Sequence, residues 1–196
     1  MLKGRTVLFL GSSVTDGSAA GGVSFVDLLP AAVGCRAIKE AVPGTTLVDT
    51  GPDSYVSRMR ALDGALPLDL FVCQLSTNDV ARGYPLGKIG DAGADTVAGA
   101  IETIAREARA VWKCPVAFYT NPRFESEAYA AMVSLLLALA ARRDFYTIDL
   151  WSDPTFNALT NTQRSRFMAD PVHPTLEGYR DWMLPKIIEC LEEILQ

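Results

Sequence analysis

The sequence predicts an α/β protein, a five-stranded parallel sheet with helices on both faces. Short apolar, β-rich runs of about five residues alternate with longer stretches of helical period, the pattern of parallel strands joined by helical crossovers. Polar and turn-forming residues gather directly after each strand-like run, where open parallel sheets bind their ligands. The chain has 196 residues, 49% of them hydrophobic, and so holds enough material for one sizeable core, expected as a single domain over 1–196.

In chain order, strands are expected at 6–11, 36–40, 70–75, 116–120 and 145–150. Helices are expected at 24–32, 54–62, 91–112, 126–143 and 175–195. In the last of these Leu176, Tyr179, Met183, Ile187 and Leu191 recur at intervals of three and four, giving one apolar stripe to pack on the sheet. The apolar stretch 128–141 is too short for the roughly 20 residues of a membrane helix and reads as a core helix, so no stable membrane insertion is expected. Residues 78–91, with three glycines and a proline, form the longest loop-like stretch and are the candidate lid or substrate wall.

Charge and cysteine usage narrow the partners. The formal net charge of −5 disfavours a nucleic-acid backbone, which requires concentrated positive charge. Cys35, Cys73, Cys114 and Cys190 stand far apart with no C-x-x-C pair and read as small buried hydrophobes in a reducing, cytoplasmic setting. The N-terminal apolar run spans only Val7 to Leu10 with no cleavage-site pattern after it, so it reads as a strand and not as a signal peptide. Arg142 and Arg143 read as partners of a helix C-terminus, and Trp112, Trp151 and Trp182 as packing anchors.

The strand ends carry the chemistry. Gly11-Ser12-Ser13-Val14 follows the first strand, Val42-Pro43-Gly44-Thr45-Thr46 the second, Ser76-Thr77-Asn78-Asp79 the third, and Asp170-Pro171-Val172-His173-Pro174 precedes the last helix. His173 is the single histidine, which removes any His-based metal cluster within one subunit. A lone histidine is more often structural, but Asp170 three residues upstream could hold one ring nitrogen and leave the other free for a nucleophile, the carboxylate and base half of a triad. Ser13 could supply the hydroxyl, although a serine here is commonly a helix cap. Asn78 and the backbone of Gly44 could donate toward the same rim, although each also reads as a turn former. Other templates fail: no lysine follows Gly17 as a phosphate-binding loop requires, no G-x-G-x-x-G opens the first turn, and Thr15 stands where G-x-S-x-G needs its final glycine.

These four blocks, in this order, resemble the SGNH hydrolases, the GDSL-like lipase and esterase family. Its name motif appears as Gly11-Ser12-Ser13-Val14, its second-block glycine as Gly44, its G-x-N-D as Ser76-Thr77-Asn78-Asp79, and its D-x-x-H as Asp170-Pro171-Val172-His173. The resemblance implies a three-layer α/β/α, flavodoxin-like domain and a serine hydrolase that needs no metal or organic cofactor. Ser13 would be the nucleophile, His173 the base and Asp170 its partner. The Ser13 and Gly44 amides and the Asn78 side chain would form the oxyanion hole. The implied partner is a small-molecule ester or thioester, and an acyltransferase or a non-catalytic binding module on the same scaffold are the alternatives. The sequence leaves the oligomeric state open. Two departures stand out: Ser12 replaces the Asp of the name motif, outside the triad and with little consequence expected, and Ser76 replaces the Gly of the third block, where it is expected to crowd the strand end and narrow the substrate space.

Overall fold

The computed structural model describes residues 1–142 and 144–196. The five expected strands are present as β1 (Thr6–Gly11), β2 (Arg36–Ala41), β3 (Leu70–Gln74), β4 (Val116–Tyr119) and β5 (Tyr146–Ile148). All pair in parallel, in the order β2-β1-β3-β4-β5. β1, β3 and β4 are buried along their whole length, whereas β2 at one edge is only half-buried. Side chains alternate across the sheet: β1 sends Leu8 and Leu10 into one layer and Val7 and Phe9 into the other.

The helices are α1 (Ser13–Asp16), α2 (Phe25–Val33), α3 (Tyr55–Ala61), α4 (Thr77–Ala81), α5 (Val97–Trp112), α6 (Glu127–Ala140), α7 (Asn161–Phe167) and α8 (Leu184–Ile194). Residues of α3, α5 and α6 pack with Leu8 and Leu10, while those of α2 and α8 pack with Val7 and Phe9, which completes a three-layer α/β/α sandwich. The tryptophans serve as packing anchors: Trp112 stacks on Phe71, Trp182 on Phe156, and Trp151 packs edge-on against Phe124.

Several expectations are corrected. The helix expected from residue 91 begins at Val97, because Thr96 caps it by accepting a hydrogen bond from the Gly99 amide, leaving 91–96 irregular. Leu176 leaves the apolar stripe and is 44% exposed, while Tyr179, Met183, Ile187 and Leu191 are fully buried. The cause is a π-helical turn at Gly178–Met183, whose wider winding rotates the residues before it out of phase with α8. The expected lid at 78–91 opens inside α4, with Asp79 buried beneath it. The helix expected to reach residue 143 ends at Ala140, and Arg143 itself lies outside the described residues. No helix of the described residues is long and apolar enough to cross a membrane.

Candidate active site

The strand register builds the site. Leu10 lies opposite Cys73, and Cys73 opposite Phe118, so β1, β3 and β4 end level and deliver their next residues to one rim. Gly11 closes β1. A Cβ there would overlap the side chain of Thr15 and press on the Gln74 amide, so only glycine lets α1 turn directly off the strand and set Ser13 in its first turn. Beneath α1 lies a buried polar layer. Gln74 Oε1 accepts from the Ser12 amide at 2.9 Å and from Thr15 Oγ1 at 2.8 Å, and Thr15 Oγ1 also meets the Tyr119 hydroxyl at 2.6 Å. Polar groups buried this way hold one geometry, since each alternative leaves a donor or acceptor unpaired.

His173 arrives from the far end of the chain. The turn before it is closed by a bridge between Met168 and Pro174 and by the Ala169 amide donating to the His173 carbonyl at 2.9 Å. After it, Tyr179 in the π-helical turn donates its hydroxyl proton to the Val14 carbonyl at 2.9 Å, pinning this segment onto α1. Ser13 Oγ then lies 2.8 Å from His173 Nε2, and His173 Nδ1 lies 2.7 Å from Asp170 Oδ2. Asp170 Oδ1 accepts from the Val172 amide at 2.7 Å and the His173 amide at 2.8 Å. Partial burial pushes the Asp170 carboxyl up, but those two amides and the imidazole outweigh it and hold the group below its ordinary value. Hydroxyl, imidazole and carboxylate thus form one continuous hydrogen-bonded line.

Gly44 sits in the turn after β2 with φ +78, a conformation that side chains with a Cβ rarely adopt. The loop is braced from α4. Thr45 O accepts from Asn78 Nδ2 at 2.9 Å and from Ser76 Oγ at 3.2 Å, Gly44 O accepts from Arg82 Nη2 at 2.8 Å, and the Asp79 carboxylate takes the amides of Leu47 and Val48, each at 2.9 Å. Burial pushes the Asp79 carboxyl above its ordinary value, against the pull of those two amides. Asn78 also donates to Ser12 Oγ at 3.2 Å, so both its amide hydrogens are engaged and the side chain bridges the Ser13 and Gly44 segments.

One expectation about the departures is therefore revised. Ser76 does not crowd the rim: it is fully buried, accepts from the Asn78 amide at 3.1 Å and turns its hydroxyl to Thr45 O. Ser12, also fully buried, accepts Asn78 Nδ2 through its hydroxyl, a contact an Asp side chain could accept as well. Sequence reasoning gave no role to Arg58 or Asp79, both buried here, and no run of apolar neighbours around either would have signalled it. A cleft of about 330 Å³ opens beside Gly44, lined by Thr45, Thr46, Thr50, Asp53 and Arg82 among others. The larger cavity, about 780 Å³, lies at the opposite end of the strands, against Pro115 and Tyr146.

Solved structures share this architecture. A protein from Lactobacillus plantarum is 20% identical with a TM-score of 0.84, covering 98% of this chain and 99% of its own. A GDSL-like lipase candidate from Bacteroides ovatus is 16% identical with a TM-score of 0.71, covering 97% and 99%. A family two carbohydrate esterase from Clostridium thermocellum, solved with cellohexaose, is 14% identical with a TM-score of 0.66, covering 96% of this chain and 65% of its own. These likenesses establish the fold. No curated protein matches the chain. The family model of the GDSL-like lipases and acylhydrolases matches residues 9–180, a span that runs from the strand before Ser13 to beyond His173, and the chain belongs to that hydrolase family.

Proposed function

We propose that the protein is a serine esterase that cleaves small carboxylic esters or thioesters through an acyl-enzyme. The observation that carries this reading is the 2.8 Å approach of Ser13 Oγ to His173 Nε2, continued at 2.7 Å from His173 Nδ1 to Asp170. With Nδ1–H given to Asp170, Nε2 accepts the Ser13 proton as Oγ attacks the substrate carbonyl. The imidazolium then protonates the departing alcohol or thiol, and a water molecule repeats the sequence to release the acid. Asp170 keeps its charge throughout, held by two backbone amides.

The negative oxygen of the tetrahedral intermediate would be held by the Ser13 and Gly44 amides, neither of which takes a partner among the described residues, and by Asn78. Of the two Asn78 hydrogens, the one on Thr45 O fixes the side chain. The other, on Ser12 Oγ at the longer distance, is the one shared with the oxyanion. The cleft beside Gly44 is at the small end for a ligand pocket, in keeping with a short acyl group. The test is labelling by a fluorophosphonate probe with the modified residue identified by mass spectrometry. The expected result is one adduct on Ser13, lost in Ser13→Ala together with turnover of short aryl esters. A folded wild-type chain that takes no label and turns over no ester defeats the reading.

A further inference from the structure

Arg58 lies in α3, outside the line of Ser13, His173 and Asp170, and its side chain is only 8% exposed. Withdrawing a guanidinium from water is costly unless its donors are satisfied. Here they all are, by three backbone carbonyls, two of them at the ends of β1 and β2, and by two side chains. Nη2 donates to Gly11 O at 2.7 Å and to Thr45 Oγ1 at 3.0 Å. Nη1 donates to Glu40 O at 3.2 Å and to Glu40 Oε1 at 3.0 Å, and Nε donates to Asp53 O at 3.0 Å. The cation also stands 5.2 Å from the centroid of the Tyr55 ring. Its one carboxylate partner, Glu40, is 32% exposed, so a strong buried ion pair does not explain the residue.

What the fork joins explains it better. Gly11 O stands two residues before Ser13, and it also accepts the Val42 amide at 3.2 Å. Thr45 follows Gly44, and the carbonyl of the same Thr45 receives Asn78 Nδ2 at 2.9 Å. One planar group therefore connects the segment carrying the nucleophile to the segment carrying Gly44, and through Thr45 to Asn78. We propose that Arg58 is a positioning residue of this hydrolytic site: its buried guanidinium fixes the Gly44 loop against the end of β1 and so sets the spacing of the three oxyanion donors. This rests on the reading of Ser13 as nucleophile and of Gly44 and Asn78 as oxyanion donors. It requires no contact between Arg58 and substrate.

The experiment compares Arg58→Met, Arg58→Lys and Thr45→Val with wild type, each checked for folding by thermal melting, on a short aryl ester. Misplacing donors by a fraction of an ångström to an ångström predicts a kcat lowered on the order of 10- to 100-fold in Arg58→Met, with KM little changed. The position of the pH-rate profile should stay put, because the Ser13–His173–Asp170 line is untouched. Lysine keeps the charge but not the fork, so Arg58→Lys should recover only a small part. Thr45→Val, which removes a single arm, should fall between wild type and Arg58→Met. Combining Arg58→Met with Asn78→Ala should cost much less than the product of the two losses, since both act on one oxygen. Full kcat in folded Arg58→Met, full rescue by lysine, or multiplicative losses in the double variant would each overturn the proposal. Should Arg58→Met not fold, Arg58→Lys and Thr45→Val decide it, and wild-type kcat in both overturns it. Undiminished activity in Ser13→Ala would instead defeat the assignment of the nucleophile, a separate outcome read from a separate variant.

Discussion

Asn78 and Asp170 do different work at the rim, and their variants separate the two. Asn78→Ala removes one of the proposed oxyanion donors along with the bridge to Ser12 and Thr45. Turnover should fall roughly 10²- to 10³-fold, the usual loss for one such donor, with activity left measurable above Ser13→Ala. Asp170 is held below its ordinary carboxyl value of 3.8 in the folded chain. A depressed value contributes stability that is present above the unfolded pKa and disappears as pH falls through the folded one. The stability gap between wild type and Asp170→Asn, measured by urea unfolding, should accordingly be larger at pH 7 than below pH 3.8. The group is half exposed, so the gap should be modest. At this scale the sequence was informative where polar side chains gather at the strand ends, as with Ser13 and His173, which the fold brings to 2.8 Å of each other. It was silent where a side chain faces inward to hold others: Ser12 and Ser76 read as small substitutions until their hydrogen bonds are seen.

Elements are placed by backbone approach as much as by apolar surface. The turn from β1 into α1 works because Gly11 leaves room for Thr15, so Gly11→Ala should cost about 1–3 kcal/mol by overpacking, and move Ser13 with it. Urea unfolding checks the first effect and fluorophosphonate labelling rate the second. The strands and the long helices were legible because apolar periodicity records burial. α1, α4 and α7 were not, being four, five and seven residues long and held by caps and tertiary bonds that leave no periodic trace. The phase slip at Gly178–Met183 was hidden for the same reason: an extra residue in a turn alters no composition.

Across the whole molecule, burial is graded from the middle of the sheet outward. β1, β3 and β4 are fully buried, while β2 is half-buried and Tyr146 of β5 is 47% exposed. Hydrogen exchange should find the slowest amides in the three central strands, opening only with global unfolding, and faster exchange in β2 and β5. Uniform protection across all five would contradict this gradient. The proposed triad should also behave as one unit, so Ser13→Ala combined with His173→Ala should be hardly less active than either alone in single-turnover assays.

The hydroxyl and the imidazole are 160 residues apart in the chain. During synthesis β1, with Ser13 directly after it, is made before the other four strands, and His173 follows only after every strand of the sheet has been made. A nascent polypeptide halted before residue 173 would therefore hold Ser13 without the imidazole that stands 2.8 Å from its hydroxyl in the folded chain.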